Sequence, residues 1–170
     1  GVVAPVDLGE AKSKFADVAV KAVTYNGQTY GVPYAVESVA LGRNNALTKD
    51  EPKTYDDMIS SGKAAGKQYP FVIQMGTEGD PYHFYAFQTS FGAPVFNTNA
   101  SGAYTSELAM GGSGGPDFAN WLKAQGDAGI VSPPITADIA HPAFLDDQVP
   151  YKVAGPWNVP AFPSAGEVVA

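Results

Sequence analysis

The sequence predicts an α/β lobe, a mixed sheet flanked by helices on both faces, and three observations carry that prediction. Short apolar runs alternate along the chain with segments of helical period. Two helix starts are spelled out, Thr54 three residues before Asp57, and Asp80 directly before Pro81. Two further runs, Tyr69 to Met75 and Tyr151 to Ala154, read as strands, the first of them buried.

In order, Lys14 to Val23 is expected to form a short helix, with Phe15, Val18 and Ala22 at helical spacing. Asn26-Gly27 then makes a tight turn into a strand pair around Tyr30 and Val39. Thr54 is a good N-cap with Asp57 at the third helical position, and that helix runs to about Gly66. After the strand at Tyr69 to Met75, Asp80 and Pro81 open an aromatic-rich helix carrying Tyr82, Tyr85 and Phe91. The polar tract Asn97 to Thr105 reads as loop. Pro116 to Ala128 forms a third helix with Phe118, Trp121 and Leu122 on its apolar face. Ala137 to Asp147 forms a fourth, broken at Pro142, and Tyr151 to Ala154 ends at a Gly-Pro turn that delivers Trp157.

With 170 residues and 45% hydrophobic content, the chain can bury about 70% of its unfolded surface as one domain, so residues 1–170 read as a single lobe. A net charge of −7 with no run of four basic residues disfavours nucleic acid or anionic membrane as a partner, since phosphate binding needs clustered Lys and Arg. Zero cysteines remove disulfides, thiol catalysis and zinc-thiolate sites together. No apolar stretch approaches the 18 or more residues of a membrane span. Gly1-Val2-Val3-Ala4-Pro5 lacks the charged start and apolar core of an export signal. His83 and His141 read as partly exposed helix residues without metal-ligand spacing around them, so no metal or other cofactor is expected. Met110 to Gly115 lacks the Lys-Ser/Thr of a phosphate loop and reads as linker. Asn99-Ala100-Ser101 is a glycosylation sequon by pattern only.

The candidate site rests on an acid and two rings. Val32 to Arg43 is a strand-like apolar run with one carboxylate, Glu37, in its middle. A buried acid needs a partner: either a basic neighbour such as Arg43 or a nearby Lys pairs with it, or it faces a cleft and accepts hydrogen bonds from a ligand. Asp80-Pro81-Tyr82 and Gly155-Pro156-Trp157 each place an aromatic ring at a turn signal. An acid acceptor with flat rings suits a sugar, whose apolar face stacks on them. The bland alternatives are that Tyr82 and Trp157 pack in the core and that Asp80 merely caps its helix.

The stretch Tyr25-Asn26-Gly27-Gln28-Thr29-Tyr30-Gly31-Val32-Pro33-Tyr34-Ala35-Val36-Glu37 closely resembles the approach to the second lobe of the maltose/maltodextrin-binding family of extracellular solute-binding proteins. Pro52-Lys53-Thr54-Tyr55-Asp56-Asp57 is similar to that family's Pro-x-Thr-aromatic-acid-acid helix start, and Gly155-Pro156-Trp157 matches its Gly-Pro-Trp. Asp80-Pro81-Tyr82 stands where the family has Glu-Pro-Tyr, one methylene longer. The resemblance implies an excised second lobe of a type II periplasmic-binding-protein-like fold that binds a maltose-like sugar without chemistry, through Glu37, Tyr82, Trp157 and Asp80. It implies as partners an oligosaccharide, the missing first lobe and the membrane subunits of an ABC importer, in an extracytoplasmic setting. Two alternatives stand beside it. One is a glycoside hydrolase using Glu37 and Asp80, which needs two carboxyls about 5 to 9 Å apart. The other is an inactive folding unit.

Overall fold

Regular structure is sparse in the first of the chain's two units, Gly1–Ser38 and Val39–Ala170. The structure, a computed structural model, describes residues 2–162 and, as backbone only, residues 167–169. A 3-10 segment, Gly9–Lys14, precedes helix α1, Asp17–Ala22. Extended Phe15 (ψ 150°) and Ala16 (ψ 139°) separate the two, so the helix expected from Lys14 to Val23 is split. Its buried residue is Ala19, whereas Val18 is exposed. Strands β1, Thr24–Tyr25, and β2, Gln28–Thr29, form a hairpin closed by Asn26 (φ 48°) and Gly27 (φ 76°). Two left-handed residues in a two-residue loop match the twist of the flanking strands. The turn is therefore where the sequence puts it, but its strands are not the pair expected around Tyr30 and Val39. Residues 32–39 form neither helix nor strand.

The second unit is built on a mixed sheet. Strand β3, Ala40–Arg43, begins where its antiparallel partner ends, Ala40 opposite Ala154. Helices α2, Tyr55–Ala64, and α3, Pro81–Ser90, follow, then a hairpin of β4, Phe96–Thr98, and β5, Tyr104–Leu108. Helices α4, Gly114–Asp127, and α5, Ala137–Leu145, lead to β6, Tyr151–Ala154, a 3-10 turn at Pro156–Ala161 and β7, Glu167–Val169. The sheet order is β6-β3-β7, antiparallel throughout. Val72 adds a parallel bridge to β6: its amide donates to Tyr151 O at 2.9 Å, and Val153 N donates to Val72 O at 3.1 Å. The buried run Phe71-Val72-Ile73 thus lies at the sheet as expected, though only Val72 pairs.

Alternation along these segments divides the core in two. Phe71, Ile73, Tyr151 and Val153 pack with Met58, Ile59 and Phe84 of α2 and α3. Val72 and Ala154 pack on the other face with Ala140 and Phe144 of α5 and with Phe162. Successive side chains of a strand point to opposite faces, so helices are needed on both sides, as the sequence predicts.

Local chemistry fixes the helix ends. Thr54 and Asp57 form a reciprocal capping box, Thr54 Oγ1 accepting from Asp57 N at 3.1 Å and Asp57 Oδ2 from Thr54 N at 3.2 Å. The Asn97 to Thr105 tract is a hairpin rather than loop. Asn99 Oδ1 accepts from Ser101 N and Ala103 N, both at 3.0 Å, and closes its tip, while the exposure of β4 on both faces explains its polar composition. The expected linker at Met110 to Gly115 ends inside α4. A Cβ at Gly114 would collide with Phe91 O and one at Gly115 with Met110 O, so only glycine lets the first turn approach so closely. Nor does Pro142 break α5. The helix forgoes one amide there, yet Ala140 and Phe144, both fully buried, hold it to the sheet.

Helix α2 approaches the segment before Val72 so closely that a Cβ on Gly62 would overlap Pro70 O, whereas one on Gly111 would meet open space. Gly62→Ala is expected to lower stability by about 2 to 3 kcal/mol and Gly111→Ala to change it by under about 0.5. Urea unfolding of the two variants side by side checks this, and equal midpoints would refute the close approach.

Candidate functional site

Helix α3 begins at the site. Asp80 is its N-cap, with Oδ1 accepting from His83 N at 3.0 Å, and Pro81 at the first helical position has no amide to satisfy. This start turns Tyr82 outward, 53% exposed, and folds His83 inward. His83 is buried, contrary to the partly exposed helix residue expected, because its ring closes back on the cap: His83 Nδ1 lies 2.9 Å from Asp80 Oδ1. Gln74 Nε2 donates to Asp80 Oδ2 at 2.6 Å. With the carboxylate ionised, Nδ1 is the donor. Nε2 is the one buried side-chain nitrogen or oxygen without a hydrogen-bond partner among the described residues. Partial burial of Asp80 opposes its ionisation, but the bonds from the His83 amide and ring and from Gln74 outweigh it and hold the carboxyl below its usual range. Three of its roughly four acceptor positions are filled.

Trp157 faces the same place from the other end of the unit. Gly155-Pro156 ends β6, and the 3-10 turn that follows is tied by Asn158, whose Oδ1 accepts from Gly155 N at 3.3 Å and whose N donates to Gly155 O at 2.9 Å. The indole folds back over Gly155, where a Cβ would collide with the six-membered ring. It remains 45% exposed, so it is not the core ring that the bland alternative required. Its centroid is 6.0 Å from Tyr82 at an interplanar angle of 44° and 6.0 Å from His83 at 88°. The two exposed rings thus form a tilted rim over the buried imidazole. Within the same unit, Leu41, Tyr55, Met58, His83, Phe87 and Val153 line a mainly apolar groove of about 370 Å³. Burial, and then the charge of Asp56, push the Tyr55 phenol up to about 12; it is a neutral donor, to Gln125 Oε1 at 3.0 Å.

Of the four residues expected at the site, Asp80, Tyr82 and Trp157 are brought together. Glu37 belongs to the other unit, in residues 32–38, which form neither helix nor strand, and its side chain is exposed. It is therefore not the buried mid-strand acid expected: an extended segment becomes a strand only against a partner, and strand β3 begins at Ala40. Its exposure also contradicts the buried ion pair offered as the alternative. The guanidinium of Arg43 is held by Asn45 Oδ1 at 2.8 Å, by the carbonyls of Lys49 and Asp50, and by Glu51 at 3.7 Å.

Sequence reasoning missed Gln74, Asn158 and the buried Lys152, and it read His83 as partly exposed. The signal for His83 was its place three residues after an Asp N-cap, where a side chain can reach back to the cap. No group of three or more His, Cys, Asp or Glu among the described residues could hold a metal.

Comparison with known proteins gives this arrangement a context. A family model described as bacterial extracellular solute-binding protein matches residues 1–169. The maltodextrin-binding protein of Bacillus subtilis is 23% identical over 173 residues, a match covering 94% of this chain and 40% of that protein. A maltooligosaccharide ABC transporter solute-binding lipoprotein of Streptococcus pneumoniae is 29% identical over 151 residues, 82% of this chain and 34% of its own. Among solved structures, the Thermus thermophilus maltotriose-binding protein bound with maltotriose superposes with a TM-score of 0.75 at 28% identity, over 92% of this chain and 43% of that one. The chain thus spans about two fifths of the length of these relatives.

Asp80→Asn keeps the cap but weakens the ties to His83 and Gln74, and is expected to cost about 1 to 2 kcal/mol at pH 7. A carboxyl whose folded pKa is depressed contributes stability above the unfolded value of about 3.9 and loses it as pH falls through the folded value. The gap between parent and variant should accordingly narrow between pH 5 and pH 2. Urea midpoints across that window check the sign.

Proposed function

The chain belongs to the bacterial extracellular solute-binding protein family, and on that premise we propose that it supplies one side of an oligosaccharide cleft in the binding component of an ABC importer. The observation that carries this reading is the rim of Tyr82 and Trp157, two exposed rings 6.0 Å apart held by backbone turns. Exposed aromatic faces fixed in this way stack on the apolar side of a pyranose. Malto-oligosaccharides are the sugar class we infer, because the relatives named above are maltodextrin-, maltooligosaccharide- and maltotriose-binding proteins.

In this reading Tyr82 and Trp157 stack. Asp80, with one acceptor position left, chiefly fixes the ring beside it. The remainder of the protein contributes the facing lobe and closes on the ligand by hinge motion, outside the cytoplasm, where membrane subunits receive the sugar. The chemistry is binding alone. The relatives named above are binding proteins. Reducing-sugar release from maltotriose should therefore be nil.

The test is a titration of the 170-residue chain with maltotriose, followed by tryptophan fluorescence. One side of a cleft keeps about half of a binding energy near −8 kcal/mol, which corresponds to a millimolar dissociation constant. Trp157→Ala should weaken binding at least tenfold while lowering stability by no more than about 2 to 3 kcal/mol, since the ring is half exposed. Unaltered affinity in Trp157→Ala would overturn the assignment of the rim.

A further inference from the structure

Lys152 is the anomaly of the sheet. It occupies the middle of β6, opposite Gly42 of β3, and is 2% exposed. No carboxylate among the described residues is within ion-pair distance of it. A methionine would fill the same space without desolvating an ammonium. Burial without a counter-charge therefore contributes nothing to stability, and what the ammonium does must be read from what it touches.

Its Nζ donates to Val153 O and to Asn158 Oδ1, each at 3.3 Å. Asn158 Oδ1 is the same atom that accepts from Gly155 N, and Asn158 N closes the turn on Gly155 O. Trp157 lies inside this loop of bonds, with its indole pressed over Gly155. The path from ammonium to indole is thus Nζ, the Asn158 amide, the Gly155–Asn158 turn and the ring that rests on it.

We propose that Lys152 is a positioning residue for Trp157, its ammonium fixing the Asn158 side chain and hence the turn that presents the indole to ligand. Its effect on sugar rests on the stacking role of Trp157; its effect on the ring does not. Burial pushes the lysine down to about 8, so the tie passes from charged to neutral close to physiological pH. A neutral amine makes a weaker hydrogen bond than an ammonium. The groups around it are few. His141 faces it from α5, held below its ordinary value by burial and then by the Lys152 charge, with its Nδ1 3.5 Å from Asn158 Nδ2. The 3-10 turn contributes Asn158, and β3 contributes Gly42. Strand β7 sets Val168 opposite Gly42 and Glu167 opposite Arg43.

The experiment uses 5-fluorotryptophan in place of Trp121 and Trp157, with the two ¹⁹F resonances assigned by Trp157→Phe, on ligand-free protein from pH 6.5 to 9.5. The Trp157 resonance is expected to titrate with a midpoint near 8 and the Trp121 resonance to stay still. Lys152→Met should abolish the titration and displace the Trp157 resonance, with a urea midpoint at or above the parent's. His141→Asn should keep the midpoint. Asn158→Asp, which gives the ammonium a counter-charge and preserves the acceptor, should move it up by a unit or more. With maltotriose, Lys152→Met should bind at least fivefold more weakly. A Trp157 resonance that is flat in the parent, or unmoved in both Lys152→Met and Asn158→Asp, overturns the proposal. A titrating ring in a parent that does not bind maltotriose supports the positioning role and refutes the sugar reading instead.

Discussion

The second unit depends on one constraint: β6 is covered on both faces, and its four residues must satisfy two cores at once. Tyr151 and Val153 serve the side of α2 and α3, while Lys152 and Ala154 serve the side of α5. A register slip of one residue would exchange the two sets, so the antiparallel pairing with β3 and the parallel bridge to Val72 define where every helix can sit. The aromatic rim follows from the same constraint. Trp157 is exposed because β6 stops at Ala154, and Tyr82 is beside it because α3 packs on the face that Val153 supplies.

Elements whose signals are local were legible in the sequence. Thr54 with Asp57 and Asp80 with Pro81 are side-chain and backbone chemistries that complete themselves within one turn, and both appear where expected. Asn26-Gly27 is of the same kind. Strand content was legible only in part, because a strand is defined by a neighbour far away in sequence. Val32 to Arg43 is mostly apolar, yet only its last four residues form a strand. The tract Asn97 to Thr105 is polar, yet it pairs with itself.

The site divides along the same line. The rings at Tyr82 and Trp157 were readable because turn signals announce them. Glu37 was misplaced because its apolar flanks suggested burial that the stretch 32–39 does not provide. His83 was read as partly exposed and Lys152 was overlooked, because both are polar residues buried against elements remote in sequence, and composition gives no sign of such neighbours. Their chemistry is nonetheless complementary. The imidazole of His83 anchors the start of α3 through Asp80, and the ammonium of Lys152 reaches the turn after β6 through Asn158, so each ring of the rim has one buried polar group behind it.

The pairing of β3 with β6 also sets a clock on synthesis. Ala40 must wait for Ala154 and Arg43 for Tyr151, intervals of 114 and 108 residues by subtraction of the paired numbers. At about 5 to 20 residues per second, that leaves the strand without its partner for roughly 5 to 20 s on the ribosome. Nascent strands in that condition pair with whatever edge they meet. Ala-Leu-Gly-Arg is a poor template for such encounters: it is four residues long, has a glycine inside and ends on a charge. The modest composition that makes β3 inconspicuous in the sequence is what allows it to wait.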